Sequence, residues 1–247
     1  MLAFMNTQNK TYQLLGGRLD MLSADRGYRA AIDPVLLAAS IPAKKGQSVL
    51  DVGCGTGAAA LCLVTRLQEI QVTGIDIKEP LIKLANKIVA LNGLANRAKF
   101  FAHDLLMYSK LLTFDHIMAN PPHHKKGSGN PSPDLFKAAA NVEGKAVLED
   151  WVSFCFEKVV KGGTVTFVHR YDRMNELINL MQREGAVNVF PLWPKIQGTG
   201  AKRVLVQAIK GTLCKTKIQN GMVLHTCKGD YTSAAHAILR DVKELKI

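Results

Sequence analysis

The chain lacks any apolar stretch long enough to cross a membrane, and it has no internal repeat or low-complexity tract. Membrane-spanning and solenoid architectures are therefore not expected. Its five cysteines, Cys54, Cys62, Cys155, Cys214 and Cys227, include no C-x-x-C pair. An odd, scattered set does not suit a disulfide framework, and these residues read as reduced thiols of a cytoplasmic protein. Met1 to Lys10 is interrupted by Asn6, Thr7, Gln8 and Asn9, so no secretory signal is expected. Acidic residues are scarce too, with 20 Asp+Glu against 32 Lys+Arg and a formal charge of +12. Such a field favours polyanionic partners without choosing between RNA and DNA. Adjacent His123 and His124 have no Cys, Asp or Glu at ligand spacing, and no metal site is expected.

What is present is a 47% hydrophobic chain of 247 residues, enough for one large α/β core. Residues 1–30 are polar and glycine-punctuated and read as a peripheral or mobile N-terminal arm. Asp33-Pro34 then pairs a capping carboxylate with a first-turn proline ahead of a buried helix, Val35 to Ala39. Strands are expected at Gln47–Val52, Gln71–Ile75, Ala98–Ala102 and Phe114–Ala119. They alternate with helices at Ala58–Leu67 and Glu79–Leu91, the second amphipathic through Leu81, Leu84, Ala85, Ile88 and Leu91. A helix from Glu149 to Val160, stopped by Lys161-Gly162-Gly163, precedes a strand at Thr164–Val168. Asp172 is placed to cap the next helix, whose apolar positions run from Met174 to Met181. Val187–Phe190 and Arg203–Ile209 have no helical pattern between them and should pair antiparallel. The expected architecture is a doubly wound, mostly parallel sheet over residues 31–210 with an antiparallel edge strand. A basic extension, residues 211–247, with a short apolar run at Met222–Leu224 and a final helix from Ser233 to Leu245, should pack on that domain.

Two stretches carry chemistry. Asp51-Val52-Gly53-Cys54-Gly55-Thr56-Gly57 is a glycine turn between strand and helix, where a backbone passes close to a nucleotide and a helix N-terminus faces it. Gly53-x-Gly55-x-x-Ala58 also satisfies the dinucleotide fingerprint, with Asp76 near the spacing of a ribose-binding acid. A nicotinamide cofactor and S-adenosylmethionine thus both remain open from this unit. Asp51 favours the second: a carboxylate here would repel a pyrophosphate but can accept from the ammonium of an amino acid. Asp76 can accept from two vicinal ribose hydroxyls, and Asp104, at the next strand end, from an adenine amino group.

The second stretch is Asn120-Pro121-Pro122-His123. Two prolines remove two N–H donors and fix two φ angles, leaving the Asn120 amide oxygen and the Pro121 carbonyl as a rigid acceptor pair. Side by side, they can accept both protons of one planar NH2 group and aim its lone pair at an electrophile. A strand-ending turn is the plainer reading of the same residues. The basic loop that follows, with Lys125 and Lys126, suits a lid or a phosphate contact.

Taken in order, Asp51-x-Gly53-x-Gly55-x-Gly57, Asp76, Asp104 and Asn120-Pro121-Pro122 resemble the amino-methylating branch of class I S-adenosylmethionine-dependent methyltransferases, over roughly residues 30 to 210. Gly27 to Leu37 and Ala201 to Val206 resemble, more narrowly, the bacterial tRNA adenine methyltransferases that modify the adenine beside the anticodon of a valine tRNA. That resemblance implies that the glycine loop, Asp76 with Ile77, and Asp104 with Leu105 hold the cofactor, that Asp33 closes over its methionine end, and that Asn120 to His123 bind the target amine. The family usually has tyrosine where His123 stands; an imidazole stacks less area on an extruded base. RNA, most of all tRNA, is the implied partner, with Arg29, Lys125, Lys126, Lys195, Lys202 and Arg203 as expected contacts. Enzymes that methylate a glutamine amide of release factors or guanine in ribosomal RNA share the motif, and a non-catalytic RNA-binding protein could keep the fold.

Overall fold

The computed structural model describes residues 10–23, 30–107, 112–122, 145–212 and 214–247. Two strands open it, β1 (Thr11–Leu14) and β2 (Leu19–Leu22), paired antiparallel as a hairpin. The chain then alternates: α1 (Asp33–Ala39), β3 (Ser48–Val52), α2 (Ala58–Arg66), β4 (Gln71–Asp76), α3 (Glu79–Leu91), β5 (Ala98–Ala102) and β6 (Phe114–Ala119). It continues with α4 (Leu148–Lys158), β7 (Val159–Arg170), α5 (Met174–Met181), β8 (Gly185–Trp193), β9 (Arg203–Lys210), β10 (Lys217–Ile218), β11 (Met222–Val223) and α6 (Ser233–Asp241).

Nine of these strands form one sheet in the order β10-β8-β9-β7-β6-β3-β4-β5, with β11 also on β8. The parallel pairs β7-β6, β6-β3, β3-β4 and β4-β5 build its centre, and β9 runs antiparallel between β7 and β8. Parallel neighbours need crossovers, and the helices that supply them cover both faces. Because side chains alternate along a strand, the two faces bury different sets. Val49, Val72, Met118 and Leu205 join α1, α2, α3 and α6 in one core. Leu50, Ile75, Ile117, Phe167 and Val206 join α4 and α5 in the other. This is a doubly wound, Rossmann-like sheet in which β9 alone runs antiparallel.

Three departures from the pattern have local causes. The glycine-punctuated stretch expected at the periphery is, over residues 10–23, the β1-β2 hairpin, and its Leu15, Leu19 and Met21 lie in the first core. Burying each stabilises by roughly 1.5–3 kcal/mol, so this stretch packs as part of the fold. Lys161-Gly162-Gly163 does not end a helix. The helix stops at Lys158, and β7 begins at once, with the glycines forming an irregularity within it. Phe114 pairs with Val159 and His116 with Thr164, so two steps on β6 match five on β7. A Cβ at Gly163 would sit 2.3 Å from the Asp115 carbonyl oxygen, which leaves glycine the residue that fits.

The third is the length of β8, which continues past Phe190 through Pro191 to Trp193. A proline cannot donate to a ladder. The outer strand is broken opposite it: Gln219 donates to Val189 and Leu224 to Trp193, while Gly221 lies against the Pro191 carbonyl. β10 and β11 are thus two halves of one edge, split where the proline has no N–H to offer.

Candidate active site

The register of the central strands decides what meets at their C-terminal ends. Val52 pairs with both Ile75 and Ala119, so the glycine loop, Asp76 and Asn120 leave the sheet at one edge, side by side. Gly53 and Cys54 donate to the Ile75 carbonyl at 2.8 and 3.0 Å, which folds the loop back over β4. Gly53, Gly55 and Gly57 all have positive φ, between 56° and 79°. Each meets something different. A Cβ on Gly53 would sit 2.4 Å from the Trp151 ring of α4, and one on Gly57 2.6 Å from the Phe100 ring of β5. At Gly55 nothing lies within 4 Å. The loop is therefore clamped between two aromatic rings with its middle glycine open.

The acids around it are in place and partly engaged. Asp76 accepts from the Gly55 amide at 2.9 Å through one oxygen and from the Lys78 amide at 2.8 Å through the other. It pins the open glycine while each oxygen keeps a further lone pair for a hydroxyl donor. Asp51 is 2% exposed and accepts from the Ala60 amide at 3.2 Å. Gly57, the residue before α2, has no side chain to cap it, so Asp51 supplies the cap from across the loop. Burial pushes the Asp51 carboxyl up to about 8, against that hydrogen bond. Asp104 accepts from the Leu106 amide at 3.0 Å, a local turn that leaves its other oxygen available. Ile77, 63% exposed, stands beyond Asp76, whereas Leu105 packs against the second core.

Asn120 follows β6. Its side-chain oxygen is buried and, among the described residues, has no hydrogen-bond partner. Pro121 is buried beside it and Pro122 half-buried. An orphaned buried amide oxygen costs on the order of 1–3 kcal/mol, which an amine donor would offset.

Asp33 differs from expectation. Ile32 precedes the helix in an α-helical conformation, Asp33 is already in its first turn, and its carboxylate makes no cap. Instead it accepts from Arg203 Nε at 2.7 Å, tying the start of α1 to the start of β9. Asp172 does not cap α5 either: it lies in a short 3-10 turn, Tyr171–Arg173, and pairs with Arg170. Lys195 and Lys202 are exposed in the β8-β9 connection. Arg29, His123, Lys125 and Lys126 lie outside the described residues.

Trp151 and Phe100 were not singled out by the sequence, nor was the Tyr171–Trp193 ring pair, 5.9 Å apart beside the same edge. A large aromatic in an amphipathic helix or strand reads as core. Only the contact with a glycine of the loop gives it a part in the site. No cluster of His, Cys, Asp or Glu suited to a metal occurs among the described residues, and no helix there is long and apolar enough to cross a membrane.

Residues 29–144 match the family model of the methyltransferase small domain. The chain is 26% identical over 161 residues to a tRNA1(Val) (adenine(37)-N6)-methyltransferase of Vibrio campbellii, covering 65% of this chain and 66% of that protein. It is 31% identical over 98 residues to the protein of the same name from Yersinia enterocolitica, covering 38% and 39%. The chain thus spans less than two thirds of the length of either relative. A predicted O-methyltransferase from Agrobacterium tumefaciens superimposes with a TM-score of 0.71 at 22% identity, covering 87% of this chain and 99% of that one.

Proposed function

We propose, from the match of residues 29–144 to the methyltransferase small domain and from the site just described, that this chain is an S-adenosylmethionine-dependent N-methyltransferase acting on the exocyclic amine of adenine in tRNA, beside the anticodon. The observation that carries the reading is the buried, unpartnered Asn120 oxygen one residue past β6, level with the glycine loop one residue past β3. Bound in this loop, S-adenosylmethionine supplies an electrophilic methyl group on a sulfonium. The residues present fit it: the Gly55 backbone gives an open approach, Asp76 has lone pairs for a ribose diol, and Ile77 offers an exposed apolar contact. We assign Asp51 the methionine ammonium as its donor.

The residues of this chain then perform three tasks. The Asn120 oxygen and the Pro121 carbonyl accept the two protons of the target NH2, which takes its lone pair out of conjugation with the ring. The two prolines, with φ fixed by their rings, keep those acceptors from rotating away. His123, at the end of the motif, covers the base. The target amine loses its proton after it becomes cationic, so no strong base is needed, and none is assigned. The names of the relatives and the +12 charge support a tRNA substrate. A partner of this charge and a cofactor of this kind fit a cytoplasmic enzyme.

The test is incubation with methyl-labelled S-adenosylmethionine and a cell extract, followed by nuclease or protease digestion and mass spectrometry of the labelled product. N6-methyladenosine in a tRNA fragment is expected. Label that resists nuclease and is released by protease would instead identify a glutamine amide as the acceptor and refute the RNA reading.

A further inference from the structure

Between Gly185 and Gly229 the chain has no Asp or Glu, yet it holds seven basic residues: Lys195, Lys202, Arg203, Lys210, Lys215, Lys217 and Lys228. The topology gathers this segment as β8, β9, β10 and β11 on one side of the sheet. Two of the seven are engaged internally, Arg203 by Asp33 and Lys210 by the carbonyls of Phe156 and Val159. The other five are exposed and, among the described residues, have no carboxylate at ion-pair distance.

Strand direction tells where they point along the sheet. β8 and β7 both run antiparallel to β9, so the end of β8 at Trp193 shares the edge on which Asn120 leaves β6. The connection holding Lys195 and Lys202 opens at that edge. β11 runs parallel to β8, and the turn after it carries Lys228 to the same place, where Lys195 Nζ donates to the Cys227 carbonyl at 3.5 Å. Lys215 and Lys217 follow the outer strand behind them. At ~4.8 Å per strand, the lysine edge begins roughly 10 Å from β6, at Lys202 beside β9, and ends about 19 Å from it, at the outer strand. That is the reach of a few nucleotides of backbone, not of a distant second site.

A cation cluster without counter-charges repels itself, and a polynucleotide relieves it because the lysines replace cations condensed on its phosphates and release them. The face suits a polynucleotide better than a lipid surface. It is built of strand and turn, and its exposed large apolar side chains among the described residues are Ile196 and Ile218, whereas a surface-lying membrane anchor needs a continuous apolar face.

We propose that Lys195, Lys202 and Lys228, with Lys215 and Lys217 behind them, form a docking surface for the phosphodiester backbone of RNA on one side of the base presented to Asn120. This surface rests on the RNA reading given above. Arg203, basic in the sequence, is not part of it, because Asp33 holds it.

The experiment compares the full chain with the variant Lys195→Gln/Lys202→Gln/Lys228→Gln, and with a Lys87→Gln control on α3 at the far side of the sheet. Binding of a fluorescein-labelled unmodified tRNA transcript, and of DNA of the same sequence, is followed by anisotropy from about 50 to 300 mM salt. S-adenosylhomocysteine binding by calorimetry reports that each variant is folded. The expected result for the triple variant is a salt slope shallower by about 2 and a raised KM for RNA with kcat held within about twofold. The control should match the parent chain. An unchanged slope and affinity in the triple variant overturn the surface while the RNA reading stands. A parent chain that binds S-adenosylhomocysteine but not RNA, or that prefers the DNA, overturns the RNA reading and the surface with it.

Discussion

Cofactor binding should release a proton, and Asp51 is its source. The side chain is buried, its carboxyl is pushed up to about 8 from an ordinary 3.8, and desolvation is the largest cause. At pH 6.5 the ligand-free protein therefore holds Asp51 protonated. An amino-acid ammonium placed against it favours the ionised form and drives that proton off. The affinity for S-adenosylhomocysteine should then rise about tenfold per pH unit from pH 6 to 8 and level off above. Calorimetry in two buffers of different ionisation enthalpy counts the proton directly. Asp51→Asn should bind more weakly, by about 1.5–3 kcal/mol for a lost charged hydrogen bond, and with a flat pH dependence. The stability of the ligand-free chain must show the same linkage with the opposite consequence. Across about pH 4 to 8 the folded chain keeps a proton that the unfolded chain has lost, so stability falls as pH rises through this window. The upper bound is roughly 6 kcal/mol from the size of the shift. Binding without proton release and with a pH-independent affinity would refute this account of Asp51.

Four other outcomes are expected. On the proposed reading, in which the Asn120 oxygen receives the target amine, Asn120→Ala should abolish turnover while S-adenosylhomocysteine affinity stays within a few-fold; normal turnover would sink the mechanism. Gly53→Ala should lower the thermal midpoint far more than Gly93→Ala: both have positive φ, but only the first drives a Cβ into a ring, Trp151. Equal losses would show that backbone conformation alone matters. Buried His116, bonded to Thr164 and Gln47, has its pKa lowered by desolvation. Its neutral form is favoured in the fold, so its contribution is present above its ordinary 6.5 and lost as pH falls below it. Unfolding midpoints of His116→Gln between pH 7 and 5 should show a smaller loss than the parent. A double-mutant cycle on Asp33 and Arg203 should give a coupling of about 1 kcal/mol, since the pair is partly exposed; zero coupling would reduce it to a coincidence of packing.

The residues that were legible in the sequence are those whose role is local. The glycine loop, the strand-end acids and Asn120-Pro121-Pro122 each announce themselves within a few positions. The periods of the central strands and of α3 follow from the side they bury. What the sequence hides is pairing at a distance. Asp33 reads as a cap because it precedes a proline, and its partner, Arg203, lies 170 positions on. Trp151 reads as a core aromatic because nothing in α4 says that Gly53 will lie beneath it. Lys161-Gly162-Gly163 reads as a helix stop since glycines end helices more often than they interrupt strands, and only the Asp115 carbonyl of the neighbouring strand explains why they stand there. The basic residues divide the same way. Composition tells their number, but only the fold tells which are held by carboxylates or carbonyls and which face outward.

The aromatic clamp on the loop also makes the molecule its own optical probe. The chain has two tryptophans. One, Trp193, ends β8, three strands along the sheet from β6, with its indole N–H donating to the Asn220 carbonyl at 2.7 Å. The other, Trp151, rests on Gly53. In a Trp193→Phe background every photon emitted by tryptophan comes from the floor of the glycine loop, so a ligand that shifts or stiffens that backbone can be titrated by light alone, without a label on either partner.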